Sequence, residues 1–262
     1  MRYRSSMTLI FSVIIIIFSL SGYQRNHVWK DDLNLWRDVS KKSPNKARMH
    51  NNLGTAYARK AMFDEATTEC KKALAINPSY VEARANLGAV YIDKAMFDEA
   101  ISECKRALAI NPSYGEAHAN LAAAYIGKGM FDQAITECKR ALAINPHYAE
   151  AHCNLGIAYG NKNMLDETIS ECKKAIAINP NYAEAHYNLG AAYATKGMVN
   201  EAIIECKKAI AIKPHYPKAH YNLGITYYYK GDYKLALLHF DKAMELGYSI
   251  RPELLELLRS YR

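Results

Sequence analysis

Glycine and proline are scarce, 13 and 8 of 262 residues, which excludes a collagen-like, fibrous or low-complexity disordered chain. Tryptophan occurs twice whereas tyrosine occurs 20 times, an imbalance that points to one tyrosine-bearing pattern copied many times. Acidic residues are outnumbered, 26 against 34 Lys and Arg, leaving a formal charge of +8. Residues 1–46 hold eight of those basic residues and only three acidic ones, so the rest of the chain is nearly balanced. That placement favours anionic lipid headgroups over a nucleic acid as the charged partner, and no nucleic acid is expected. Half the residues are hydrophobic, enough for a buried core.

Long apolar runs are also rare. One stands out, "MTLIFSVIIIIFSLSGY" at residues 7–23, preceded by Arg2 and Arg4. As a helix it spans roughly 25 Å, a marginal bilayer crossing. A single N-terminal transmembrane helix and a cleaved signal peptide are the two readings. Ser19-Leu20-Ser21 offers a small-x-small site, but the isoleucine-rich run without an alanine-type site favours an anchor. Arg25, Lys30, Arg37, Lys41 and Lys42 outnumber the arginines before the segment, so a positive-inside count leaves the C-terminal part cytoplasmic.

From Ala47 the sequence repeats with a period of 34 residues, in copies spanning 47–80, 81–114, 115–148, 149–182, 183–216 and 217–248. Apolar or small residues at repeat positions 7, 8, 11, 20, 24, 27 and 28 have helical spacing, broken near position 15 and ended by Asn-Pro at positions 31 and 32. Each copy reads as a helical hairpin. Residues 24–46 read as a divergent half-repeat, with Trp36 and Pro44 in register but Asp32 where a small residue belongs. Residues 249–262 read as a capping helix, with Leu254, Leu257, Leu258 and Tyr261 as its apolar face.

The pattern resembles the tetratricopeptide repeat. Its Leu-Gly-x-x-Tyr core is present as Leu53, Gly54 and Tyr57, as Leu87, Gly88 and Tyr91, and in later copies, with Ala122 replacing glycine in the third. Ala66, Ala100, Ala134, Ala202 and Ala236 supply the small residue of the helix crossing, where the fourth copy has Thr168. The resemblance implies an all-α, right-handed superhelical solenoid of six hairpins with a C-terminal capping helix, preceded by the membrane segment.

Read within the repeat, several conspicuous residues lose their chemical meaning. Cys70, Cys104, Cys138, Cys172 and Cys206 share position 24, which Phe240 fills in the last copy, so buried packing thiols are expected. Sites one repeat apart are too distant for a disulfide. His50, His118, His152, His186 and His220 share position 4 and cannot converge on one metal, so no metal site is expected. The sequence "HCN" at residues 152–154 mimics a cysteine nucleophile, but the repeat places no base beside Cys153. No catalytic residue, cofactor or small-molecule substrate is expected.

Position 6 is asparagine in every copy: Asn52, Asn86, Asn120, Asn154, Asn188 and Asn222. Asparagine is a mediocre helix former, and position 6 lies beside the core stripe, so packing does not demand it. Positions 2, 6, 9 and 13 share one helix face, and stacking lines such faces along the inside of the array. An asparagine amide can accept from a backbone N–H and donate to a C=O, holding an extended peptide without reading its side chains. The set resembles the asparagine ladder of O-linked N-acetylglucosamine transferases. Glu116 and Glu150 at position 2, with Tyr187 and Tyr221, complete the expected peptide-binding face. The alternative is that each asparagine bonds only its neighbouring helix or water.

The junction "YQRNHVWKDDLNLWRDVSKKSPNKARMHNNLGTAY" resembles the passage from the last membrane helix into the repeats of transmembrane tetratricopeptide proteins of the O-mannosyltransferase type. That likeness implies repeats facing the periplasm or lumen, against the positive-inside count. Two functions follow: a membrane-anchored, non-catalytic scaffold binding extended polypeptides in an asparagine-lined groove, or the substrate-recognition part of a membrane glycosyltransferase whose catalytic region is absent from this chain.

Overall fold

The computed structural model describes residues 31–258 and residue 261. Among these are fourteen α-helices and no strand. No described helix is long and apolar enough to cross a membrane. The stretch 7–23 lies outside the described residues, so the transmembrane helix expected there has no support from the described structure.

The chain divides into two compact units between Met96 and Phe97. In the first, α1 (Asp32–Lys42) packs on α2 (Ala47–Arg59), which pairs with α3 (Phe63–Ile76), and α3 carries α4 (Val81–Asp93). The second begins with α5 (Phe97–Ile110) and continues through the hairpins α6 (Gly115–Gly127) with α7 (Phe131–Ile144) and α8 (Ala149–Asn161) with α9 (Leu165–Ile178). It ends with α10 (Ala183–Thr195) and α11 (Val199–Ile212), α12 (Pro217–Lys230) and α13 (Tyr233–Glu245), and the short α14 (Pro252–Leu257). Within each unit, successive helices pack on one another. In addition, α2 touches α4 in the first unit, and α6, α8, α10 and α12 touch in succession in the second, forming a row of first helices.

Local chemistry sets the hairpins. The residue at position 15, just after each first helix, has a left-handed backbone: Ala61, Ala95 and Asn163 at φ 56–58°, and Gly129, Gly197 and Gly231 at φ 73–82°. Glycine adopts that conformation freely and alanine does not. After the second helix, the asparagine side chain caps the turn. Ser113 N–H donates to Asn111 Oδ1 at 3.0 Å and His147 N–H to Asn145 Oδ1 at 3.0 Å, and the following proline cannot continue the helix. Asp64 and Glu65 in the first turn of α3, like Asp98 and Glu99 in that of α5, complement the helix dipole.

Within a hairpin the two helices touch through glycine. A Cβ on Gly54, Gly156 or Gly190 would lie 2.8, 2.9 or 2.8 Å from Sγ of Cys70, Cys172 or Cys206. On Gly224 it would lie 2.6 Å from the Phe240 ring. The cysteine is the small apolar cover of a glycine notch, and all six cysteines are free and buried. Burial pushes the thiols of Cys70, Cys104, Cys138 and Cys206 up to about 12.

At the ends the packing departs from the repeat. In the half-repeat, Leu33 and Trp36 cover Leu53 and Ala56, while Asp32 faces solvent and pairs with Arg59 at 2.6 Å. At the cap, Leu258 is buried with Leu254 and Leu255 packed on the core of the last hairpin, whereas Leu257 is 65% exposed. The apolar face is therefore centred on Leu254, Leu255 and Leu258, one residue away from the face expected through Leu257. Tyr261 lies 4.4 Å from the Tyr233 ring.

Candidate functional site: asparagine-lined clefts between first helices

The position-6 asparagines sit on α2, α4, α6, α8, α10 and α12, and their amides differ by place. In the first unit Asn86 Nδ2 donates to Asn51 Oδ1 at 2.9 Å and to Thr55 Oγ1 at 3.3 Å. In the second, Asn154 Nδ2 donates to the Ala119 carbonyl at 3.5 Å and Asn188 Nδ2 contacts Cys153 Sγ at 3.6 Å. These three asparagines thus spend an N–H on position 5 of the preceding repeat and keep the amide oxygen. Asn52 and Asn222 make no side-chain hydrogen bond among the described residues. Before Asn222, position 5 of the preceding repeat is Tyr187, whose ring packs 5.2 Å from Tyr216.

Beside three of the position-6 asparagines lie clefts built from the same repeat positions. In the first unit a cleft of about 300 Å³ is lined by Asn86, Ala89 and Asp93 of α4 with Thr55, Ala58 and Arg59 of α2. In the second, a cleft of about 240 Å³ joins Asn188 and Ala191 of α10 to Gly156, Ile157, Gly160 and Asn161 of α8. The next, about 500 Å³, joins Asn222, Ile225 and Tyr229 of α12 to Ala191, Ala194 and Thr195 of α10. The last two share Ala191 and Thr195, so they are neighbours along one face. Positions 6, 9 and 13, expected to share a face, do line the clefts together.

The other expected site residues are placed differently. Glu116 accepts from the Tyr114 hydroxyl at 2.8 Å and Glu150 from the Tyr148 hydroxyl at 3.4 Å, both at helix starts, and neither lines these clefts. Tyr187 is half-buried against Tyr216, and Tyr221 packs on Tyr248 and Phe240 at 4.8 and 5.9 Å. These two rings contribute to packing against the end of their own copies. Tyr229, at position 13, is the exposed ring of the face, with 76% of its surface accessible.

Histidine at position 4 makes a clip. His118 Nδ1 meets Glu137 Oε2 at 2.6 Å and its Nε2 meets the Pro112 carbonyl at 2.9 Å. His50, His152 and His186 repeat this with Glu69, Glu171 and Glu205 and with Pro44, Pro146 and Pro180. Both ring nitrogens face oxygen atoms, so each ring is engaged on both sides. Each of these glutamates also takes a Lys or Arg one turn on, such as Arg140 on Glu137 at 2.6 Å. A further cleft of about 550 Å³, lined by Lys105, His118, Tyr125, Glu137 and Arg140, is made of these paired groups, with Lys105 5.9 Å from the Tyr125 ring centre. Its carboxylate, Glu137, is already paired with His118 and Arg140.

The clip changes in the last copy. His239 replaces the glutamate, 3.2 Å from His220 Nδ1 and stacked on Tyr227 at 5.7 Å. Burial, helped by the nearby His220 and Lys207, pulls His239 down to about 4, and burial also lowers His220 despite its bond to the Pro214 carbonyl. Among the described residues no group of three or more metal-ligating side chains converges. Cys153 is buried and its thiol pushed up to about 11, by burial first, with hydrogen bonds from Asn188 and Tyr182 opposing. A thiol held protonated is no nucleophile.

Tetratricopeptide-repeat family models match residues 47–80, 93–152, 162–197, 195–231 and 217–246. No curated protein matches the chain. Among solved structures, MamA is 32% identical over 61% of this chain and 94% of its own, with a TM-score of 0.52. TTC0263, a thermophilic TPR protein of Thermus thermophilus, is 25% identical over 69% of this chain and 98% of its own, with a TM-score of 0.61. The APC/C hetero-tetramer Cut9-Hcn1 shares the fold at 18% identity and a TM-score of 0.80, over 89% of this chain and 45% of that one. This chain therefore spans less than half of that longer relative. With its 34-residue period, its hairpins and these matches, the chain belongs to the tetratricopeptide repeat family.

Proposed function

We propose that the chain is a non-catalytic scaffold that captures extended polypeptide segments along its position-6 asparagines, tethered to a membrane through residues 7–23, with the repeats on the extracytoplasmic side. The observation that carries the reading is the coincidence of Asn86, Asn188 and Asn222 with clefts built from equivalent positions of adjacent repeats. A packing role alone needs one amide N–H, and Asn222 serves none of that role yet is asparagine like the others. Successive rungs stand about 8–10 Å apart, so one amide serves about every third residue of an extended strand.

The test is fluorescence anisotropy with a labelled, unstructured twelve-residue peptide of alanine, serine and one central phenylalanine. Asn222→Ala, alone and combined with Asn188→Ala, is expected to weaken capture stepwise, by about threefold to tenfold per rung, with helicity unchanged by circular dichroism. Equal affinity of the native chain and the double variant removes the asparagines from the binding face.

A further inference from the structure

The cleft beside Asn222 differs from its counterparts in ways that choose a ligand. Position 17 is Phe63, Phe97, Phe131 and Leu165 in the first four copies but the smaller Val199 in the fifth, where it lines the cleft. Ala191, Ala194 and Gly197 keep that side low, while Ile225 and the exposed ring of Tyr229 raise the opposite wall. Position 13, which carries Tyr229 here, is Arg59, Asp93, Gly127, Asn161 and Thr195 elsewhere. The outcome is the roomier of the two neighbouring clefts in this unit, with apolar walls and Asn222 at its side.

Charge changes at the same place. In earlier copies the position-14 lysine is clipped to the position-18 aspartate of the preceding repeat: Lys94 to Asp64 at 2.6 Å, Lys128 to Asp98 at 2.5 Å, Lys162 to Asp132 and Lys196 to Asp166. In the sixth copy the lysine is Lys230, but the preceding position 18 is Asn200, and the sixth copy's own position 18 is Lys234. Neither Lys230 nor Lys234 forms an ion pair among the described residues. Both line a second cleft, about 440 Å³, with Tyr233 and Tyr261. The carboxylate between them, Asp232, accepts the Leu235 backbone N–H at 3.2 Å as the cap of α13. Lys230 directly follows Tyr229 in the chain, and the two lysine cations stand together in the last hairpin.

We propose that the cleft between α10 and α12 is a side-chain pocket of the groove, taking a bulky apolar residue of an extended peptide whose adjoining acidic residue faces Lys230 and Lys234. The inference rests on the peptide-capture reading and names the peptide's chemistry. The Asn222 amide holds the backbone beside the pocket, and the smaller cleft at Asn188, one repeat away, receives a small residue about three positions along the strand. Long-range attraction to the two lysines guides the acidic residue into register and weakens as salt rises.

Three labelled twelve-residue host peptides of alanine and serine test this, carrying Phe-Asp, Ala-Asp or Phe-Lys at the centre. Phe-Asp is expected to bind the native chain about tenfold tighter than Ala-Asp. It is expected to bind about threefold tighter than Phe-Lys in low salt, a difference that vanishes near 0.5 M salt. Val199→Phe, which restores the ring of the earlier copies, removes the preference for phenylalanine while retaining the Ala-Asp affinity. Tyr229→Ala, a surface change that leaves the fold intact, lowers the preference as well. Lys230→Glu with Lys234→Glu inverts the Asp-over-Lys order. If all three peptides bind the native chain equally, the pocket is overturned and capture stands. If none binds, capture and pocket fall together.

Discussion

His118 is held between Glu137 and the Pro112 carbonyl with both ring nitrogens engaged, and the same clip recurs at His50, His152 and His186. It fastens the first helix of one copy to its own second helix and to the end of the preceding copy. His118→Ala leaves a buried carboxylate with Arg140 alone, and we expect a loss of about 2 kcal/mol in urea denaturation. The last copy lacks the clip, since His239 stands where glutamate does elsewhere. Its folded-state value, about 4, lies below the ordinary 6.5, so between these pH values the unfolded chain binds more protons than the folded one. Stability contributed by neutral His239 is therefore full above about pH 6.5 and lost as pH falls toward 4. Thermal melts at about pH 7 and pH 5 are expected to show an acid-induced loss in the native chain that His239→Glu reduces by rebuilding the pair with His220. The cysteines give a further outcome: all six resist maleimide at about pH 8 in the native state and react in denaturant, and rapid native labelling of Cys153 contradicts its burial.

Each hairpin is shaped by two constraints, a left-handed residue at position 15 and a small-residue notch at position 8. Ala61 and Ala95 hold φ 56° where three other copies place glycine. Ala61→Gly therefore relieves strain that exceeds the entropy glycine adds to the unfolded chain, and we expect a gain of roughly 0.5–1 kcal/mol in unfolding free energy by urea titration. The hairpins themselves were legible in the sequence, because a period of 34 residues repeats every constraint six times. Cysteine at position 24 was legible as packing for the same reason, and Phe240 over Gly224 shows the same notch filled differently. The His-to-Glu clip was not legible, since its partners lie 19 residues apart on opposite sides of the turn and nothing local links them. Tyr187 and Tyr221, expected on the binding face, pack on Tyr216 and on Tyr248 and Phe240, contacts that a 34-residue period does not reveal. The pocket residues were hidden by their smallness: Ala191, Gly197 and Val199 matter through the volume they leave.

Across the whole chain the copies are near-identical in their core and differ in what they present. Excess positive charge outside residues 1–46 is slight, while the sixth copy exposes Tyr229 and brings Lys230 and Lys234 together, with no ion pair to either among the described residues. Array stability follows from the sum of hairpins and their nearest-neighbour interfaces, whereas specificity collects where copies depart from the common pattern. The proposed tether through residues 7–23 bears on where the array works, and the proposed asparagine face on what it holds. Backbone capture is the central claim, and it is tested most directly by comparing the Phe-Asp host peptide with a version N-methylated at every third residue, which removes backbone N–H donors without altering side chains. The account predicts at least a roughly tenfold loss of affinity for the methylated peptide. Unchanged affinity contradicts it, because the asparagines would then not be reading the peptide backbone.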